Sequence, residues 1–319
     1  MRTRSVVAVL VALAAVLLVP PVVGGLSGGG DGTQLRGLRF LVPNAPGGGY
    51  DITARTAAKA MEDGGITGAV EVFNLPGAGG TVGLGRTVNE SGNDRLVMSM
   101  GLGVVGSVYT NDSPATLTDT TPIARLTQET EIVVVGKDSP LRTFDDLVAT
   151  WTADPGAVPV GGGSSPGGPD HLAPMLMAEG VGIDPRAVNY ISYDGGGELL
   201  AAVLGGKVAF GVSGLGEYAD QIEAGELRVL AVTAPERVPG VDMEFTNWRG
   251  IVAPPGLDEA GRAELVAAFT ALRESPEWKE ALERNGWQDA FLPGDEFGAF
   301  LQAENDRVAG VLRNLGLVA

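Results

Sequence analysis

Short apolar runs alternate along this chain with longer stretches in which apolar residues recur every three or four positions. The runs at 38–43, 70–74, 96–100, 132–135, 158–161, 188–192, 208–212 and 227–232 predict strands. Helical spacing follows at 51–62, after Gly80 and at 170–179. Thr143-Phe144-Asp145-Asp146 has the spacing of a capping box and starts another helix. The C-terminal part reads as helical, with Asp258 as one cap and Ser275-Pro276-Glu277 as the next start. Strands alternating with helices predict an α/β fold with parallel sheets, in which ligands sit at the carboxyl ends of strands. No internal repeat is visible in the residues themselves.

The N-terminus breaks this rhythm. Arg2 and Arg4 precede an unbroken apolar run at 6–19, closed by Pro20-Pro21. A basic start followed by a core this short fits an export signal better than a spanning helix, which needs ~20 apolar residues. Residues 1–30 are therefore read as a leader with a flexible flank, cleaved or kept as an anchor. The chain has no Cys, so none can carry a lipid.

Composition narrows the chemistry. The lack of Cys removes disulfides, thiol nucleophiles and zinc–thiolate sites. A single His makes a multi-histidine metal site untenable and would leave a serine triad dependent on His171. The 39 acidic residues against 22 basic ones give a net charge of -17, which argues against nucleic acid. No calcium-loop spacing occurs, the acids are spread as on a solvated surface, and no metal or cofactor is expected. Trp248 and Trp278 read as core residues.

Three glycine-rich loops carry the candidate site. The first, Pro46-Gly47-Gly48-Gly49-Tyr50-Asp51, and the second, Gly77-Ala78-Gly79-Gly80 after Asn74, each lie where a strand ends and a helix begins. Such junctions offer unpaired backbone N–H groups at the positive end of a helix dipole, and glycine lets a small anion come close. Asp51 is read either as the helix N-cap, paired with Arg55, or as a ligand contact. The third loop, 161–168, adds the hydroxyls of Ser164 and Ser165 beside Gly167. None of the three loops contains Lys or Arg, so a bound carboxylate would rely on amide and hydroxyl donors, with no basic clamp in evidence.

The stretch Pro43-Asn44-Ala45-Pro46-Gly47-Gly48-Gly49-Tyr50-Asp51-Ile52-Thr53-Ala54-Arg55 resembles the signature of the tripartite tricarboxylate transporter substrate-binding proteins (Bug-type extracytoplasmic solute receptors). Asn74-Leu75-Pro76-Gly77-Ala78-Gly79-Gly80 is similar to that family's second motif, and Tyr193-Asp194-Gly195 and Trp248-Arg249-Gly250 continue the order. The resemblance implies a type II periplasmic-binding-protein fold: two α/β lobes with a ligand cleft between them. It places lobe one at 36–130 with 236–319 and lobe two at 131–235. Loops one and two would cradle a carboxylate from lobe one, while loop three, Tyr193 and Asp194 would face it from lobe two. It also implies a monomeric receptor that is not an enzyme, serving a large and a small membrane subunit. Tyr50 stands where the family commonly has a small hydroxyl residue. Asp194 stands where a basic or polar one is frequent, and an acid there suits an amino or otherwise cationic ligand group.

Three other readings compete. Gly77-Ala78-Gly79 partly matches a dinucleotide fingerprint, but the third glycine comes at Gly83, one residue late. A serine hydrolase would need Ser164 or Ser165 to recruit His171, without a nucleophile-elbow motif. A receptor reporting to a membrane sensor would look the same in sequence as one serving a permease.

Overall fold

A computed structural model describes residues 35–233 and 245–318. The leader at 1–30 lies outside the described residues. Ten strands form one continuous sheet: β1 Arg39–Val42, β2 Glu71–Asn74, β3 Leu96–Gly101, β4 Thr121–Gly136, β5 Pro159–Gly162, β6 Asn189–Ser192, β7 Phe210–Gly214, β8 Leu227–Val232, β9 Thr246–Ala253 and β10 Gln288–Pro293. The helices are α1 Gly49–Asp63, α2 Thr81–Asn89, α3 Leu102–Thr110, α4 Phe144–Ala153, α5 Pro169–Gly180, α6 Gly196–Leu204, α7 Ala219–Glu223, α8 Glu259–Glu274, α9 Pro276–Asn285 and α10 Gly294–Asn314.

The strand order β2-β1-β3-β9-β4-β7-β5-β6 has a mirror sense about β4 and β9. On one side β1 pairs in parallel with β2 and β3; on the other β5 pairs in parallel with β6 and β7. Each side is thus a βαβαβ unit, and both are wound alike. Arg39 and Pro159, which open β1 and β5, are 120 positions apart, as are Gly49 and Pro169, which open α1 and α5. A structural repeat therefore exists where the residues show none, because a strand and a helix specify only the rhythm of apolar positions and leave side-chain identity free.

β4 joins the two units. Its 16 residues split their partners: Thr121–Thr130 runs antiparallel to β9, and Ile132–Gly136 runs antiparallel to β8, with Glu131–Val134 against β7 on the other edge. Only its last third was predicted from sequence. The earlier part, Thr121-Pro122-Ile123-Ala124-Arg125-Leu126-Thr127-Gln128, mixes polar and apolar residues because Ile123, Ala124 and Leu126 pack into the core while Arg125 lies over the Phe300 ring and donates to the Ala290 carbonyl of β10. β10, short and polar, was missed within the predicted helical region for the same reason.

The predicted caps form as spaced. Asp146 N–H donates to Thr143 Oγ1, Gly261 N–H to Asp258 Oδ1 and Trp278 N–H to Ser275 Oγ, fixing the starts of α4, α8 and α9. Two apolar layers then cover the sheet. Phe40 meets Phe269 edge-on at 5.9 Å in one, and Trp151 meets Phe210 at 5.1 Å in another. Trp248 and Trp278 are both buried, as expected from the sequence.

Thr233 ties the crossing together. Its hydroxyl accepts from Glu131 N–H at 2.9 Å and donates to the Phe245 carbonyl at 2.7 Å. Thr233→Val keeps the volume but strands both buried backbone groups, so chemical denaturation should show a loss of about 2–4 kcal/mol. An unchanged midpoint would mean that the crossing is held by other contacts.

Candidate functional site

The two units face each other across a cavity of about 1040 Å³. Of the residues singled out in sequence, Pro46, Gly47, Gly48, Gly49 and Tyr50 line it from loop one, and Gly77, Ala78, Gly79 and Gly80 from loop two. Ser164, Ser165, Tyr193 and Asp194 line it from the other unit. Two residues stand apart.

Asp51 lies beneath loop one rather than in the cavity. It is not the N-cap, which is Gly48; it sits in the first turn and reaches back to accept Gly47 N–H at 2.9 Å. Arg55 Nε donates to both of its oxygens and Asn74 Nδ2 to one, which links loop one to the end of β2. Burial pushes this carboxyl up, but the Arg55, Gly47 and Asn74 hydrogen bonds outweigh it and hold it below the ordinary carboxylate range.

Gly167 is likewise buried behind the cavity, its backbone against Gly106 of α3 so closely that neither position has room for a Cβ. Its N–H donates to His171 Nδ1 at 3.1 Å. The two loops are built alike. Gly47 and Gly167 sit in the left-handed region, with φ of 83° and 88°, directly before the extended N-caps Gly48 and Gly168. His171 does for α5 what Asp51 does for α1. Burial pulls its imidazole down to about 4, so at neutral pH it is an uncharged acceptor.

No side chain caps α1, α2 or α6, all of which begin on the cavity. The contrast with the capped starts of α4, α8 and α9 is informative, since an uncapped helix leaves backbone donors for something else. Loop two sharpens the point: Ala78, Gly79 and Gly80 all take positive φ, an uncommon run in which Gly80 N–H closes on the Gly77 carbonyl at 2.9 Å and the N–H groups of Ala78 and Gly79 have no partner among the described residues. Loop three contributes less than its glycines suggest. Gly163 N–H is bound to Asp170 Oδ2, Gly168 N–H to Ser165 O and Asp170 N–H to Ser164 Oγ, while Pro169 has no N–H at all. Its offering to a ligand is the pair Ser164 and Ser165; glycine content alone could not show that the remaining amides were spent.

The sequence reading also missed an arginine. Arg249 of β9, 4% exposed, lines the cavity floor beside Asn247. Its Nη1 is ion-paired with Glu129 of β4, and its Nη2 lies 3.9 Å from Glu217. Arg249 and Asn247 were findable: alternate positions of a strand point to one face. What hid them was that this strand was taken only as a motif. Nor are the acids all on a solvated surface. Glu129, Glu131 and Asp170 are buried around Arg249, and Glu217 is half-buried. Burial, reinforced by Glu217, pushes the Asp170 carboxyl up to about 8; burial and Glu129 push Glu217 up to about 7. Glu131, fully buried beside Asp170, Glu129 and Glu217, is raised well above its ordinary value.

The hydrolase geometry is absent among the described residues: His171 accepts from Gly167, and Ser164 Oγ accepts from Asp170 N–H. Gly83, the misplaced third glycine of the fingerprint, is packed in α2 against Leu41 and Pro43. Among the described residues, no group of His and acidic side chains is placed to hold a metal ion.

This is the type II fold of periplasmic binding proteins, two α/β lobes around a cleft. The family described as tripartite tricarboxylate transporter family receptor matches residues 52–317, and the chain belongs to that family. It is similar to protein BugT of Bordetella pertussis, with 28% identity over 90% of this chain and 91% of that one. The structure of the periplasmic binding protein BugD superposes with a TM-score of 0.77 at 22% identity, covering 89% of this chain and 98% of the other. The structure of R. palustris Rpa4515 with adipate gives 0.79 at 20% identity, covering 89% and 98%.

The raised acids set a pH dependence. An unfolded chain loses those protons near pH 4, whereas the folded one keeps them until about pH 7 for Glu217 and about pH 8 for Asp170. The folded state then binds more protons, so these groups weaken stability as pH rises through that window. The melting temperature without ligand should fall between pH 5.5 and 8.5, by less in Asp170→Asn, whose side-chain oxygen still accepts from Gly163. Equal slopes in the two proteins would refute this assignment.

Proposed function

We propose that this chain is an exported receptor that captures a small organic carboxylate and presents it to a membrane transporter with a large and a small subunit. The observation that carries this reading is the convergence of uncapped helix starts on one cavity. A carboxylate satisfies those donors and gains from the dipoles behind them. The structure of R. palustris Rpa4515 with adipate, which has the same fold, supports an acid of this size for this chain's cavity. Residues 1–30 would direct export, and the transporter subunits would read the loaded receptor.

In this reading, residues 36–130 with 236–319 form one lobe and 131–235 the other, and β4 is among the strands on which they move. Thr110 Oγ1 donates to the Pro166 carbonyl at 3.2 Å across the cleft rim, next to the Gly106–Gly167 abutment. A ligand touching both lobes stabilises this arrangement by the difference in its affinity for the closed and open forms. Tyr50 covers the floor: its ring lies against Gly101 and Gly103, where a Cβ would collide with it.

A thermal-shift screen of C4 to C6 dicarboxylates, amino acids and aromatic acids tests this reading, because a ligand that binds only the folded chain raises its melting point. At least one acid should do so. Gly49→Ala places a methyl against the Arg249 guanidinium beside the α1 amides. It should weaken that acid at least tenfold, ~1.4 kcal/mol, and, because the buried guanidinium paired with Glu129 must shift, it should also lower the unliganded melting point. Full affinity in this variant would remove loop one from the site.

A further inference from the structure

The charged residues lining the cavity are unevenly divided. Asp170, Asp194, Glu198 and Glu217 all come from the β5–β6–β7 unit, whereas the wall formed by loops one and two and α3 contains no charged side chain. The one cation among the described lining residues, Arg249, is already paired with Glu129. The wall of loops one and two therefore presents free amides without any carboxyl, whereas the opposite wall sets an excess of carboxyls beside the amides that open α6. Between them lies Asn247, 6% exposed, whose side-chain amide lines the cavity with no partner among the described residues. Its carbonyl can accept from a ligand N–H where the floor offers only acids and a spoken-for guanidinium.

We propose that the ligand is amphoteric: a small acid whose carboxylate lies on the amides of loops one and two and whose protonated amine lies against Glu217, Asp170 and Asp194, with Asn247 at its side. This rests on the carboxylate reading above and adds the second recognition element to it. A plain dicarboxylate would set its far charge beside the buried Asp170 and the half-buried Glu217, with the exposed Asp194 and Glu198 on the same wall, a like-charge arrangement that is costly where the dielectric is low. An ammonium there offsets like charge instead. Glu217 and Asp170, held partly protonated by burial and by Glu129, with Glu217 adding to the effect on Asp170, would give up protons to it.

Calorimetry with matched compounds tests the idea: glutamate against glutarate, and 5-aminopentanoate against pentanoate and pentylamine, in two buffers of different ionisation heat. The amine-bearing acid of each set should bind at least tenfold tighter than its amine-free partner, with net proton release at pH 7.5. Asp194→Asn, at an exposed position, and Glu217→Gln should each lower its affinity at least fivefold and shrink that preference. Equal or tighter binding of glutarate, with proton uptake, would overturn the amphoteric ligand and leave the carboxylate reading standing. Binding of pentylamine as tight as that of 5-aminopentanoate would overturn the carboxylate reading instead. If no compound binds, both fall.

Discussion

A helix cannot satisfy its own first N–H groups, and most of this structure's cleft follows from where that debt is left open. Helices α4, α8 and α9 close theirs with Thr143, Asp258 and Ser275. Those that start on the cavity have glycine where the capping side chain would stand. Glycine there also removes the bulk that would keep a ligand from the backbone. The resulting donors are held rigidly, because loop one is pinned from below by Asp51, Arg55 and Asn74, and loop three by His171 and Asp170. Donors fixed before binding lose little entropy when the ligand arrives.

The second constraint is the buried charge under the cleft. An arginine and several carboxyls cannot share a dry site unless they are paired or some stay protonated. Arg249 and Glu129 pair, while Glu131, Asp170 and Glu217 are pushed towards their neutral forms. β4 carries Glu129 and Glu131, and β9 carries Arg249, so this cluster sits on the strands that join the two units. Its protonation and whatever fills the cavity are therefore coupled to the same piece of backbone.

Much of this was legible in the residues. Loops one and two announce themselves by glycine runs between a strand and a helix, and the caps by spacing that backbone geometry enforces. The family resemblance ran from Pro43 to Pro254, and the family assignment bears it out. What stayed hidden depends on partners distant in sequence. That Asp51 braces and does not cap requires knowing that Asn74 ends beside it. That loop three has spent most of its amides requires seeing Asp170 and His171 fold back. Arg249 itself was within reach, since Thr246-Asn247-Trp248-Arg249 alternates between a packed face and the cleft floor, but its pairing with Glu129, 120 positions earlier, was not.

The most direct test is a crystal structure of the chain grown with glutamate or glutarate. This account places a ligand carboxylate with oxygens about 2.7–3.1 Å from backbone nitrogens of Gly49 or Tyr50 and of Ala78 or Gly79, with Glu129 still holding Arg249. A carboxylate lodged away from those amides, or one that displaces Glu129 to take Arg249 for itself, would contradict it.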